Sequence, residues 1–340
     1  VDTVADLGIV SVTLVLPFTV QVDAPSRLHF GMFSFGHADV RQYGGLGCMV
    51  SAPGIRLRAR MDDDWAVVGP LAKRTLHLAR KFAHAQGLDP AAAARIEVLR
   101  APRSHAGLGS GTQLALAVAA ALGRLFELSD PDPAEMAHRL GRGRRSAIGI
   151  HGFQQGGLLV DGGKTAGEKV SPMLGRYELP PDWRFVLIDA VETQGLWGAE
   201  ERRAFARLPA VPREWTARMC DEAYRHLLPA AEGADFQRFG ESLGRFGSLA
   251  GACFRSAQHG LYATERAQQI VELLHGMGIA GVGQTSWGPT LFALVDNQAA
   301  AEGLVADLQS NGEMHPAICT IAAPCNRGAR VMDLQYATVS

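Results

Sequence analysis

The chain has 340 residues, 47% hydrophobic and 20% charged, which fits a globular protein with a sizeable core in two domains or one large one. Its formal net charge of -1 excludes a global electrostatic pull toward nucleic acid or an anionic membrane. Five cysteines without a C-x-x-C pair exclude a disulfide framework or a zinc ribbon and point to a reducing cytoplasm.

Residues 1–17 are set aside as an N-terminal extension of uncertain standing. The early apolar run, Ile9 to Val22, is broken by Ser, Thr, Pro and Gln and follows Asp2 and Asp6, unlike a signal peptide. No run reaches the roughly 18 apolar residues of a membrane span. Val20–Ala24 and Leu28–Ser34 read as short strands on either side of Pro25. "IRLRARM", Ile55–Met61, alternates apolar and Arg as a half-buried strand does. Pro70–Gln86 is helical, with Leu71, Leu76, Leu78, Ala79 and Phe82 on one face and Gly87 as the stop. Arg95–Pro102 is a strand that feeds "HAGLGSGT". There Ser110 or Thr112 caps a buried helix running to about Phe126. A further helix spans Pro133–Arg142, and "GGLLVD", Gly156–Asp161, is a strand. The loop at 163–168 marks a domain boundary, giving domains 18–166 and 167–340. Beyond it come a strand at "WRFVLIDA", four helices between Ala199 and Met277, a strand–glycine loop–strand at "GVGQTSWGPTLFALV", a helix at Gln298–Gln309 and two closing strands. Mixed strands with helices on one side give an α+β fold.

Four stretches carry candidate chemistry. Gly107, Leu108, Gly109, Ser110, Gly111 and Thr112 form a glycine turn entering a helix, an arrangement whose backbone N–H groups suit an anion. It lacks the lysine of a Walker A loop and the third glycine of a dinucleotide fingerprint; a plain strand–turn–helix is the alternative. Arg27 and His29 alternate on a strand and share a face. Arg142, Arg144 and Arg145 crowd a glycine-broken segment, read either as a polyphosphate anchor or as a solvated basic turn. His151 and Asp161 lie just beyond it. Gln284, Ser286 and Trp287 sit in "GVGQTSWGPT", where a tryptophan among glycines is unusual for a hairpin turn. Lysine occurs only at 73, 81, 164 and 169, so nearly all 33 basic residues are arginine. A GC-rich coding bias explains that, as does a need for bidentate forks.

In this order the four stretches resemble the GHMP kinase superfamily. Pro102 through Gly111 follow its P-x-x-x-G-L-G-S loop without a gap. "SRLHFGMF", "RQYGGLG", "GRGRRSAIGIHGFQQGGLLVDGG", "QGLWGAEERRAF" and "VGQTSWGPT" look like one branch of it, the β-ribofuranosylaminobenzene 5'-phosphate synthases. The resemblance covers about residues 20 to 335. It implies a ribosomal-protein-S5-domain-2-like N-terminal half and a ferredoxin-like C-terminal half. Two acids of the kinase pattern are missing: Gly149 stands at the Asp of S-G-[IV]-D, and no Glu lies between Arg139 and His151. Phosphoryl transfer needs a metal and a positioned nucleophile, so this site suits gripping phosphate better than passing it on.

The branch implies a pentosyl transfer in tetrahydromethanopterin biosynthesis. 5-Phosphoribosyl 1-diphosphate and 4-aminobenzoate, or a close analogue, would give a C-riboside, pyrophosphate and CO2. An ATP-dependent small-molecule kinase is the alternative. On the synthase reading, the 107–112 loop with Arg142, Arg144 and Arg145 takes the diphosphate. Arg27 and Arg41 take the 5'-phosphate and the carboxylate, and Trp287, Phe33 or Trp197 walls the ring. Asp161, Asp189 and His151 are the catalytic candidates. Mg2+ is expected, with Ser110 beside it, and no redox or organic cofactor. Small molecules are the expected partners, with no nucleic acid and no membrane; pairing into a homodimer stays open.

Overall fold

The computed structural model describes residues 18–128, 132–189, 203–258, 260–310 and 319–334. Residues 1–17 and Trp197 lie outside the described residues. Strand β1 (Thr19–Met32) is continuous, not two strands about Pro25. It pairs with β2 (Gly45–Asp62), and the register shifts between Ala24 and Ser26 and again between His29 and Gly31. A bulge is where a strand accommodates proline's missing N–H, so Pro25 does not end β1.

β1 and β2 are the centre of a seven-stranded sheet. The first half of β2 pairs with β5 (Leu158–Asp161) and its second half with β4 (Ala93–Arg100). β3 (Ala66–Val68) runs parallel to β4 at the edge. Helices α1 (Ala72–Gln86) and α2 (Ser110–Leu125) pack on this sheet; Phe82, Leu114 and Val118 meet Val22, Leu57 and Ile96 in one core. As its composition predicts, α2 is buried nearly all round, and the short α3 (Pro133–Arg139) that follows it ends before the expected Arg142. The N-cap of α2 is Gly109 in a left-handed conformation, φ 69°, and not Ser110 or Thr112. Ser110 opens the helix instead, because glycine takes the left-handed position without strain.

The second sheet has the order β10–β7–β9–β8, all antiparallel: β7 (Arg184–Asp189), β8 (Val282–Gln284), β9 (Thr290–Val295) and β10 (Cys319–Ala322). Between β7 and β8 the chain forms α5 (Arg213–Asp221), a π-helical turn (Glu222–Leu227), α6 (Leu228–Glu232), α7 (Phe236–Ala252) and α8 (Glu265–Gly276). Helix α9 (Gln298–Ser310) lies between β9 and β10. This is the split βαβ arrangement of a ferredoxin-like unit. The fold is α+β in both halves, as expected.

The change of sheet does not come after residue 166. β6 (Met173–Tyr177) pairs with β5 in the first sheet, and β11 (Arg330–Leu334) returns from the far end to pair with β1. A sheet edge left by β1 or β5 takes up whatever strand reaches it, and alternating residues do not name their partner. The two halves also share a core. Phe30 of β1 lies 6.4 Å from Phe185 and 5.3 Å from Phe292, ring to ring, so an apolar junction fixes one half against the other.

Candidate active site

Three segments interlock to build the site. The Arg27 N–H donates to the Leu108 carbonyl at 3.0 Å, and Arg27 Nη2 to the Gly107 carbonyl at 3.3 Å. Thr285 Oγ1 also donates to the Gly107 carbonyl, at 3.1 Å, and accepts the His29 N–H at 2.9 Å. The Ser286 N–H donates to the His29 carbonyl at 3.0 Å. Gly107 is needed here: its φ is 76°, and a Cβ would sit 2.6 Å from the Thr285 carbonyl oxygen. β1, the glycine loop and the 285–288 loop are thus one unit, at the N-terminus of α2.

Around this unit opens a cleft of about 1220 Å³, with a hollow of about 220 Å³ directly over the glycine loop. Arg27, Arg74 and Arg142 line both spaces, and Lys73, Lys81, Arg144 and Arg145 line the larger one. Among the described residues no Asp or Glu lines either space. Helix N-terminal N–H groups facing converging cations form an anion site.

Arg74 and Arg142 meet over Gly111. A Cβ there would lie 2.4 Å from Arg74 Nη2 and 3.1 Å from Arg142 Nη1, so the bare glycine admits both guanidinium groups. Burial, with Arg74 and Arg144 beside it, pulls Arg142 down to about 10, still charged at neutral pH. Burial also lowers Arg74. Two cations held together with no described carboxylate between them suit an anionic ligand. Arg144 is exposed, and Arg145 lies 4.6 Å above the Phe205 ring. Phe205 joins Tyr43, Phe254 and Trp287 in an aromatic wall beside the cations.

His29 is buried, and burial, with Arg27 and Arg145 adding to it, holds its ring well below 6.5 and neutral. This has a consequence for stability. Above pH 6.5 both folded and unfolded rings are neutral and the contribution is complete; below 6.5 only the unfolded ring takes a proton, so stability falls with pH. Urea titrations at pH 7 and 5.5 are expected to show a loss of up to about 1.4 kcal/mol per pH unit from this group. His29→Gln removes that component, and an unchanged pH slope would contradict it.

Several expected site residues are placed elsewhere. Asp161 is 1% exposed and its two carboxylate oxygens accept the Ala147 N–H at 2.6 Å and the Gly163 N–H at 2.9 Å. It therefore holds the start of α4 (Ile148–Gln155) and the end of the arginine segment, and does not line the cleft. Asp161→Ala is expected to cost about 3 kcal/mol in urea unfolding, since both N–H groups lose a charged acceptor; a loss under about 1 kcal/mol would contradict this role. Asp189 pairs with Arg103 at 2.7 Å, also off the cleft. The His151 ring meets the Ser171 carbonyl at 2.9 Å and does not line the cleft. Arg41 spends its fork on the Gly162 and Gly163 carbonyls and on Glu168. Gln284 accepts the Ala263 N–H at 2.7 Å and braces its loop. Phe33 is buried against Phe246. Charged residues near a motif are legible in sequence; the direction of their side chains is not.

Arg74, Lys73, Lys81, His105 and Phe205 enter the site without having been singled out from sequence. The three basic residues lie on the Pro70–Gln86 helix, whose charged face reads equally as a solvated one, while His105 and Phe205 lie within the quoted stretches "HAGLGSGT" and "QGLWGAEERRAF". Gly149, at the kinase acid's position, has its carbonyl bonded to Gln113 Nε2 at 2.6 Å. A Cβ at 149 would meet Gln113, Thr112 and Arg27 only at 3.4–3.7 Å, so close packing against a side chain's first atom is not what keeps this position glycine. Ser110 lines the loop hollow, but no described carboxylate stands beside it, and no cluster of three His, Cys, Asp or Glu occurs among the described residues. Mg2+ takes oxygen ligands, usually including carboxylates, so this donor set does not suit a resident ion.

Comparison with known proteins agrees with this architecture. Residues 71–153 match the family described as GHMP kinases N terminal domain, and residues 227–313 that described as GHMP kinases C terminal. The β-ribofuranosylphenol 5'-phosphate synthase of Archaeoglobus fulgidus is 32% identical over 295 residues, covering 82% of this chain and 88% of that protein. The protein so named from Methanothermobacter thermautotrophicus is 26% identical over 331 residues, covering 91% and 97%. Among solved structures, mevalonate pyrophosphate decarboxylase from Streptococcus pyogenes superposes with a TM-score of 0.65 at 13% identity, covering 92% of this chain and 98% of that one. Homoserine kinase from Cytophaga hutchinsonii does so with 0.63 at 15%, covering 92% and 97%. No helix among the described residues is long and apolar enough to cross a membrane. The chain belongs to the GHMP kinase superfamily, in the branch of the β-ribofuranosylphenol 5'-phosphate synthases.

Proposed function

We propose that the chain condenses 5-phosphoribosyl 1-diphosphate with a para-substituted benzoate, releasing pyrophosphate and CO2, in tetrahydromethanopterin biosynthesis. The observation that carries this reading is a basic cleft with a smaller hollow over the glycine loop, an aromatic wall and no carboxylate among its described lining residues. The relatives' name refers to a phenol product, so 4-hydroxybenzoate is the acceptor proposed first and 4-aminobenzoate second.

The chemistry assigns the parts. The C1–O bond of the ribosyl breaks and its electron pair leaves with the diphosphate. N–H groups at the start of α2, with Arg74 and Arg142, stabilise that departing charge. Lys73 and Lys81, on the larger space only, suit the 5'-phosphate. Arg27 and Arg145 stand near the aromatic wall and suit the benzoate carboxylate. The ring carbon bearing that carboxylate supplies the electrons of the new C–C bond, and loss of CO2 returns a pair to the ring. Positive charge on the ribosyl faces the departing diphosphate, so no protein carboxylate is required there. Mg2+ is proposed to enter chelated by the diphosphate, as part of the substrate.

The test supplies purified protein with 5-phosphoribosyl 1-diphosphate, Mg2+ and 4-hydroxybenzoate, and in parallel with ATP and a panel of small alcohols. Pyrophosphate formed only with the benzoate present supports the reading. ADP formed in step with a phosphorylated alcohol overturns it.

A further inference from the structure

Behind the aromatic wall lies a small enclosed chamber of about 30 Å³, lined among others by Phe254, Gln258, Tyr262 and Gln284. It shares His29, Met32, Ser286 and Trp287 with the cleft, so these side chains separate the two spaces. Two polar atoms in that partition are buried without a hydrogen-bond partner, His29 Nε2 and Trp287 Nε1. The amides on the same chamber are already committed: Gln258 donates to the Leu261 carbonyl and Gln284 accepts the Ala263 N–H. Two buried polar atoms left without partners on one partition are costly in a folded protein, and a ligand that pairs both removes that cost. The main chain holds them together, since the Ser286 N–H donates to the His29 carbonyl.

Resting on the function proposed above, we infer that this partition reads the acceptor's para substituent, with His29 Nε2 accepting a hydrogen bond from it and Trp287 Nε1 donating one to it. The orientation follows from the reaction. The benzoate carboxylate must face the ribosyl carbon and the cations, so the para position points away from them, toward the chamber, whose described lining carries no charged side chain. The neutral His29 ring carries one lone pair, and the proposed bond requires the tautomer that places it on Nε2. A hydroxyl both donates and accepts, and satisfies the pair. An aromatic amino group donates to His29, but its lone pair is drawn into the ring, so Trp287 Nε1 stays unpaired. The chamber has room for about one water-sized group, which excludes bulky substituents.

The test is kcat/KM for 4-hydroxybenzoate and 4-aminobenzoate, with affinity for 5-phosphoribosyl 1-diphosphate measured alongside as a check of the fold. The native protein is expected to favour the hydroxy acid about tenfold, the ratio that about 1.4 kcal/mol gives. Trp287→Phe is expected to remove that preference by lowering turnover of the hydroxy acid alone. His29→Leu is expected to lower both acids about tenfold, and His29→Gln, which keeps an acceptor, to recover most of the loss. Equal use of both acids by the native protein overturns the assignment without any variant. So does an unchanged ratio in Trp287→Phe with diphosphate affinity intact. If neither acid is turned over by folded native protein, the proposed function itself falls, and the assignment with it.

Discussion

Arg142→Ala is expected to weaken pyrophosphate binding by about 1.5–3 kcal/mol, the range for hydrogen bonds to a charged group, without lowering the melting temperature of the free protein. The two halves of this expectation have one cause. Arg142 is pressed against Arg74 over Gly111, and no carboxylate among the described cleft residues offsets the pair. In the free protein the two like charges repel, and burial adds to the cost. Removing one relieves the other, so Tm stays level or rises. With pyrophosphate bound, the same guanidinium supplies short, charge-assisted bonds, and these are lost. Arg74→Ala is expected to behave alike, and Arg144→Ala to matter less because Arg144 is exposed. Calorimetric titration with pyrophosphate and a thermal scan check both halves. An unchanged dissociation constant, or a fall in Tm of several degrees, would contradict the assignment.

Restoring the kinase acid should damage this site rather than repair it. Gly149→Asp is expected to weaken pyrophosphate binding by about 2 kcal/mol or more, from a carboxylate a few ångströms from a bound anion. Position 149 lies in the first turn of α4, where an anion favours the helix by about 0.3–1 kcal/mol. Its Cβ meets only ordinary contacts, at 3.4–3.7 Å. The variant should therefore fold at least as well as the native chain while binding less. Unchanged or tighter pyrophosphate binding in Gly149→Asp would show that position 149 does not face the anion.

These two variants mark what the sequence could and could not disclose. The glycine loop, the missing acids and the tryptophan among glycines were legible because each breaks a local pattern. Their chain order carried the fold as well, down to the ferredoxin-like second half. What stayed hidden depended on distant contacts. β11 pairs with β1 from the other end of the chain, and its alternation is the same whichever sheet it joins. Arg74 sits on a helix whose apolar face, Leu78 and Phe82 included, was clear. Nothing local says that its basic face looks across at Gly111. Asp161 was noticed for its position beside the arginines, yet it bonds backbone N–H groups and steadies that segment from behind. His29 stood out only for sharing a strand face with Arg27, and the alternation did not disclose that the structure buries it.

The central claim is that the cleft grips a diphosphate that leaves, and does not pass a phosphoryl group on. The most direct measurement follows carboxyl-labelled 4-hydroxybenzoate with 5-phosphoribosyl 1-diphosphate and counts both products in one reaction. Release of CO2 and pyrophosphate in equal amounts, with none of either when one substrate is left out, is the predicted result. Pyrophosphate without CO2, or no turnover of either acid by folded protein, would contradict it.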